Sequence, residues 1–189
     1  MNLIIDQLPT AVDINGKEYA INSDFRTCLR IVAFFESNEF AYLEKDRFML
    51  NSLYPVIPED VSIARKQAFK FLNGGEEKSS DEEIVKTFSL VKDHKFIFSA
   101  FRQTHGIDLE TAEMHWWKFL ALFMDLGSET TFCNLVALRK RIANGTATRE
   151  ERKAASDLGD LIEIEQVDNR SIEEREKEVE FMQLLNGGK

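Results

Sequence analysis

Only two cysteines, Cys28 and Cys133, occur in 189 residues, and they form no Cys-x-x-Cys pair. Isolated thiols act as small hydrophobes and fit a reducing compartment. Histidine is nearly as scarce, at three copies. His105 and His115 are separated by a glycine and a cap, and neither sits in an H-E-x-x-H or zinc-ribbon spacing, where ligands converge from one face. Glu113 and His115, two apart, do not share a helical face. No metal is expected. The G-x-S-x-G elbow, the P-loop, the G-x-G-x-x-G turn and the paired acids of a nuclease are all missing. The cluster Asp81-Glu82-Glu83 falls at a helix start, where the dipole favours negative charge. The sequence therefore predicts neither catalysis nor a cofactor. No apolar run approaches the roughly 20 residues of a membrane helix. The opening M-N-L-I-I-D-Q-L-P lacks the basic region of a signal peptide. A soluble, cytosolic protein is expected, with no membrane partner. Cationic surplus is lacking too: the net charge is −9, which disfavours nucleic acid, whose binding depends on neutralising phosphates. The compact basic run Arg139-Lys140-Arg141 is assigned to the C-terminal end of a helix, where cations complement the dipole.

Phenylalanine is abundant, with fifteen copies against three tyrosines. A ring without a polar handle belongs in a packed core or on an apolar contact surface. In A-V-D-I-N-G-K-E-Y-A-I, residues 11–21, Asn15-Gly16 supplies the positive-φ pair of a type I′ turn between alternating flanks, predicting a β-hairpin. Helical periodicity follows Asn22-Ser23-Asp24, with Phe25, Cys28, Leu29 and Val32 on one stripe. A second helix is predicted over Leu43 to Leu53, ended by Tyr54-Pro55. A third opens at Pro58 with Val61, Ala64, Ala68, Phe71 and Leu72 inward, and stops at Asn73-Gly74-Gly75. From Ser80 the pattern is helical again, with Ile84, Phe88, Val91 and Phe98 on one face, Phe101 beside them, and a break indicated at Asp93-His94. Gly106 ends that run. Asp108 is then read as the N-cap of the helix holding Trp116 and Trp117, and Ser128 as the cap of the next, which carries Phe132, Leu135, Val136 and Ile142. Thr148-x-x-Glu151 and Ser171-x-x-Glu174 are capping boxes. The architecture expected is mainly α: one helical bundle of about seven or eight helices behind a small N-terminal hairpin. Residues 1–145 form the hairpin and core, and 146–189 an acidic arm packed on it or extending from it.

Two stretches invite a functional reading. In H-G-I-D-L followed by M-H-W-W-K-F-L-A-L-F-M-D-L, the adjacent tryptophans point roughly 100° apart on a helix and cannot form one aromatic platform. From Trp116 to Leu126 only Lys118 and Asp125 are polar, which predicts a central buried helix, although one tryptophan could still reach an interface. The second stretch is the C-terminal arm. It holds an acidic surplus, 12 Asp and Glu against 7 Lys and Arg from Arg149 onward. At its end Phe181, Leu184 and Leu185 form one apolar stripe, opposite Ile172, Val179 and Met182. Phe181, Met182, Leu184 and Leu185 are the candidate partner-binding residues. A final helix folded back on its own bundle explains the same pattern.

Ile107, Asp108 and Leu109, then His115, Trp116, Trp117, Lys118 and Phe119, carry a resemblance. With Gly106, the stretch from Leu126 to Phe132 and Arg139, the chain resembles the phage "gene product fifteen" family, encoded in tail gene clusters of siphophages and prophages of Gram-positive hosts. His105 stands where that family usually has tyrosine. Looser likeness extends to L-P-T-A-V-D-I-N-G-K-E-Y, to P-V-I-P-E-D and to the phenylalanines before Gly106. The family's gene position, between major tail protein and tape measure, implies a non-enzymatic tail assembly chaperone in the host cytoplasm. Such a protein would coat the tape-measure protein, self-associate, and work with a second chaperone or a frameshifted longer form. The alternative is a structural tail or head–tail component retained in the virion. The motif block is read as core, not as a catalytic centre.

Overall fold

In the computed structural model, which describes residues 3–76 and 86–164, Asn15 and Gly16 take φ values of 56° and 77°. This is the geometry a two-residue I′ turn demands. They join antiparallel β1 (Ala11–Ile14) and β2 (Lys17–Ala20), with Val12 opposite Tyr19 and Ile14 opposite Lys17. A hairpin alone is marginal, and this one buries Ile14 in the shared core.

Asp24 caps α1 (Phe25–Glu36) by accepting from the Arg26 and Thr27 amides. Two helices follow, α2 (Tyr42–Leu53) and α3 (Val61–Leu72), the latter capped by Asp60, which accepts from the Ile63 amide at 3.0 Å. Ala64, Ala68, Phe71 and Leu72 face inward as the periodicity predicts, but Val61 is half exposed: at the first helical position it lies beside the cap, outside the core. Lys45 of α2 is buried because its ammonium donates to Phe35 O, one of the last carbonyls of α1.

The helical pattern predicted from Ser80 is not one helix. Ile84 lies outside the described residues, and 86–93 runs as irregular chain and turn before α4 (His94–His105), which ends at Gly106 in the left-handed conformation. Two distant side chains impose this path. Glu36 at the end of α1 accepts from the Leu90 amide at 3.1 Å and the Ser89 hydroxyl at 2.7 Å. The Asp93 carboxylate accepts from the Ser89 amide at 3.0 Å. Arg139, assigned with Lys140 and Arg141 to a helix end and its dipole, is buried against Asp93, with Nη1–Oδ2 at 2.7 Å and Nη2–Oδ1 at 2.9 Å. It also donates to Thr87 O and Leu161 O. Val91 and Phe98, read from the periodicity as sharing one helical face with Phe88, are exposed, at 58% and 38%.

The tryptophan helix is α5 (Trp116–Met124). It is followed by α6 (Thr131–Ala143), capped by Thr130 and not Ser128, and by α7 (Arg149–Leu158), which opens with the predicted Thr148–Glu151 box. Thr130 wins because its hydroxyl accepts from the Cys133 amide while donating to Gly127 O, so both ends of the group are used. A 3-10 turn, Gly159–Leu161, closes the described chain near Arg139. The result is seven α-helices among the described residues, plus the hairpin; the Ser171–Glu174 box lies outside them.

The phenylalanines are a core ladder. Phe119 stacks on Phe25, Phe101 and Trp116, with centroids 5.3, 4.9 and 5.5 Å away, and the chain of rings continues through Phe123 to Phe132. Cys28 lies under this layer with no exposed surface. Burial pushes its thiol up to about 12, and Asp24 adds to the rise. Since the thiolate is the reactive form, alkylation at neutral pH is expected to modify half-buried Cys133 first and Cys28 only upon unfolding. Peptide mass mapping after a timed reaction checks the order, and early labelling of Cys28 contradicts the packing.

Candidate partner-binding groove

Trp116 and Trp117 do not share a face, yet both end on the same feature. The Trp116 indole donates to Leu72 O at 2.9 Å and the Trp117 indole to Phe71 O at 2.8 Å. Those carbonyls belong to the last turn of α3, which a helix leaves without internal partners. The Trp116 indole supplies the donor to Leu72 O, the Trp117 indole joins the Gly74 amide on Phe71 O, and together they tie α5 to α3. Gly75, at φ 91°, lies so close to Trp117 that a Cβ there would come within 2.7 Å of the ring; the stop signal is thus also a packing requirement.

The start of α5 differs from the sequence expectation. Asp108 does not cap it. Its carboxylate instead accepts from the Glu110 amide at 3.0 Å and from Arg102 at 2.9 Å, closing a separate turn over 108–112. The N-cap is His115: Nδ1 accepts from the Trp117 amide at 3.0 Å, and Nε2 donates to Pro9 O at 2.9 Å. A neutral ring protonated at Nε2 is the only form that makes both bonds. The backbone beside it is tied to α1, with the Trp116 amide donating to Ser23 O and the Phe25 amide to Met114 O. Long-range pairing, which local pattern does not register, sets where this helix begins.

Of the motif block, Trp116, Trp117 and Phe119 are buried, while Ile107, Asp108, Leu109 and His115 are half-buried. Lys118 is exposed and is not core: one and two positions from the tryptophans, it falls off the face that α5 turns to α3. The later part of α5 surfaces too, with Met124 86% exposed, so the helix is buried along one side and not all round.

This placement of α5 creates a groove. Helices α1 and α4 both pack on α5, and between them lies an open cavity of about 550 Å³ with Phe119 at its floor. Phe25, Leu29 and Ala33 of α1 form one wall, and Ile97 and Phe98 of α4 the other; Leu90, Val91 and Leu109 close the ends. Every titratable residue in the lining is basic or a histidine: Arg26, Arg30, His94 and Lys95. No carboxylate, hydroxyl or thiol side chain is among them. Arg26 is engaged, donating at 2.8 Å to Leu109, Glu110 and Ala112 carbonyls and so holding the 108–112 turn against α1. Arg30 and Lys95 have no acidic partner among the described residues. The surface is suited to an apolar stripe flanked by acidic side chains.

The sequence reading identified Leu109 and Phe119 but missed the groove. The signals were present in the Arg26/Arg30 pair, one turn apart, and in His94-Lys95 beside a phenylalanine-rich face. Only the fold brings them together across α5. The other candidates, Phe181, Met182, Leu184 and Leu185, lie outside the described residues. Among those described, no three His, Cys, Asp or Glu side chains could hold a metal ion, and no helix is long and apolar enough to cross a membrane.

No curated protein and no solved structure matches the chain. Residues 4–164 match the family model described as Bacteriophage Gp15 protein, a span running from before the hairpin to the end of the described chain. The family resemblance carried by the His115–Phe119 block therefore holds over nearly the whole described structure, and the chain belongs to the Bacteriophage Gp15 protein family.

Proposed function

We propose that this phage protein is a non-enzymatic tail assembly chaperone that holds the tape-measure protein in the host cytoplasm until the tail tube assembles. The observation that carries the reading is the groove between α1 and α4: an apolar trough whose described lining holds no nucleophile or carboxylate, bordered by Arg30 and Lys95, which have no acidic partner among the described residues. A long helical chain with apolar faces aggregates until those faces are covered. A trough of this shape takes one helix face, reading apolar side chains at helical spacing. The net charge of −9 keeps a coated complex soluble. Self-association would supply the copies needed to cover length.

The test is co-expression with the tape-measure protein, followed by affinity purification and light-scattering mass. Several copies of this protein on one soluble long chain support the reading. An aggregated tape measure with this protein purifying alone sinks it, and recovery in finished virions would instead assign it to the tail structure. Val91→Asp gives the site-level version. Because Val91 is already more than half exposed, melting should change little, while a charge at an apolar anchor should weaken the complex by roughly tenfold or more. Undiminished co-purification would move the binding face elsewhere.

A further inference from the structure

The described chain ends at Ile164, beside the groove. Glu163 O accepts from the Lys92 ammonium at 2.7 Å, and Leu161 O accepts from Arg139, the partner of Asp93. Lys92 and Asp93 sit between Val91 and His94, both groove residues. The 25 residues that follow, 165–189, are therefore joined to the core at the groove's edge. Their chemistry complements it. From Ser171 to Leu185 there are five glutamates against Arg175 and Lys177, followed by the apolar Phe181, Met182, Leu184 and Leu185. The groove offers the converse: an apolar floor and two cations, Arg30 and Lys95, without acidic partners among the described residues. In a chain of net charge −9, two such cations over an apolar trough suit an acidic, apolar-ended segment.

We propose that the groove's resident occupant is the protein's own segment 171–185, which any incoming partner must displace. Residues 165–170 give a connection that reaches up to roughly 20 Å, starting from a residue beside the groove. A tether this short presents the segment at millimolar effective concentration, so even a weak contact is occupied in the free protein. The inference does not depend on what that partner is.

Carbodiimide cross-linking tests it, because the reagent joins a lysine amine only to a carboxylate in direct reach. The full-length protein is used as an equal mixture of unlabelled and nitrogen-15-labelled chains, and linked peptides are read by mass spectrometry. Lys95 should join Glu173, Glu174, Glu176, Glu178 or Glu180, in light–light and heavy–heavy pairs only. Abundant light–heavy pairs would overturn the proposal in favour of a second copy filling the groove. Absence of any link from Lys95 to this segment would overturn it outright. The full-length Phe181→Glu/Leu184→Glu/Leu185→Glu variant should lose about tenfold in yield of that link at an unchanged melting temperature. An undiminished yield would show attraction between charges without docking in the trough, and would also overturn it.

Discussion

Asp93→Ala should destabilise this protein by about 3–5 kcal/mol, one of the two largest losses expected of a single change. Asp93 has no exposed surface and Arg139 is 4% exposed. Removing the carboxylate leaves a buried guanidinium with two carbonyls and no counter-charge, and the Ser89 amide loses its acceptor. Against a total stability of about 5–15 kcal/mol for a domain, and at about 2–4 °C per kcal/mol for a chain of this size, the melting midpoint should fall by roughly 10 °C. Calorimetry or urea denaturation measures it. The ion pair itself need not be stabilising on balance, since desolvating both charges offsets much of their attraction. Asp93→Leu combined with Arg139→Met should therefore recover much of what either single change loses. A loss under 1 kcal/mol for Asp93→Ala would mean that water reaches the pair. Because Asp93 and Glu36 together hold 89–93, the single change should also displace Leu90 and Val91 and loosen the end of the groove.

Trp116→Ala should cost a comparable amount, about 3–5 kcal/mol, as deletion of a large buried ring does. Its ring is 3% exposed and lies nearly parallel to Phe119, at 11°. Truncation opens a cavity next to the centre of the phenylalanine ladder and strands Leu72 O without its donor. Trp116→Phe separates the two effects. It retains most of the volume and loses the hydrogen bond, so a smaller cost of about 1–3 kcal/mol is expected. Thermal melting of both variants, alongside partner co-purification, decides between core and interface. Unchanged melting with lost binding would make Trp116 an interface residue and overturn its assignment to the core.

Local signals were read correctly at several turns and caps whose hydrogen bonds close within a few residues. Asn15-Gly16 fixed the hairpin turn, Asp24 the start of α1, Gly106 the end of α4, and Thr148 with Glu151 the start of α7. The His115–Phe119 block was enough to identify the family. Where several local caps competed, the sequence chose wrongly. Asp108 and Ser128 are good cap types, but His115 is held by Pro9 and by the chain before α1, and Thr130 by Gly127. The apolar spacing around Phe88, Val91 and Phe98 looked continuous because periodicity carries no information about Glu36 or Arg139, each about fifty positions away.

The sequence by itself determined a mainly helical chain, its hairpin, most of its helix ends and its family, because each of these depends on neighbours along the chain or on a contiguous motif. The tertiary structure alone decided that Arg139 is buried against Asp93, that residues 86–93 leave the helical path, and that α1 and α4 stand apart over Phe119. Those outcomes rest on contacts between elements far apart in sequence. The groove exists only once all three are in place.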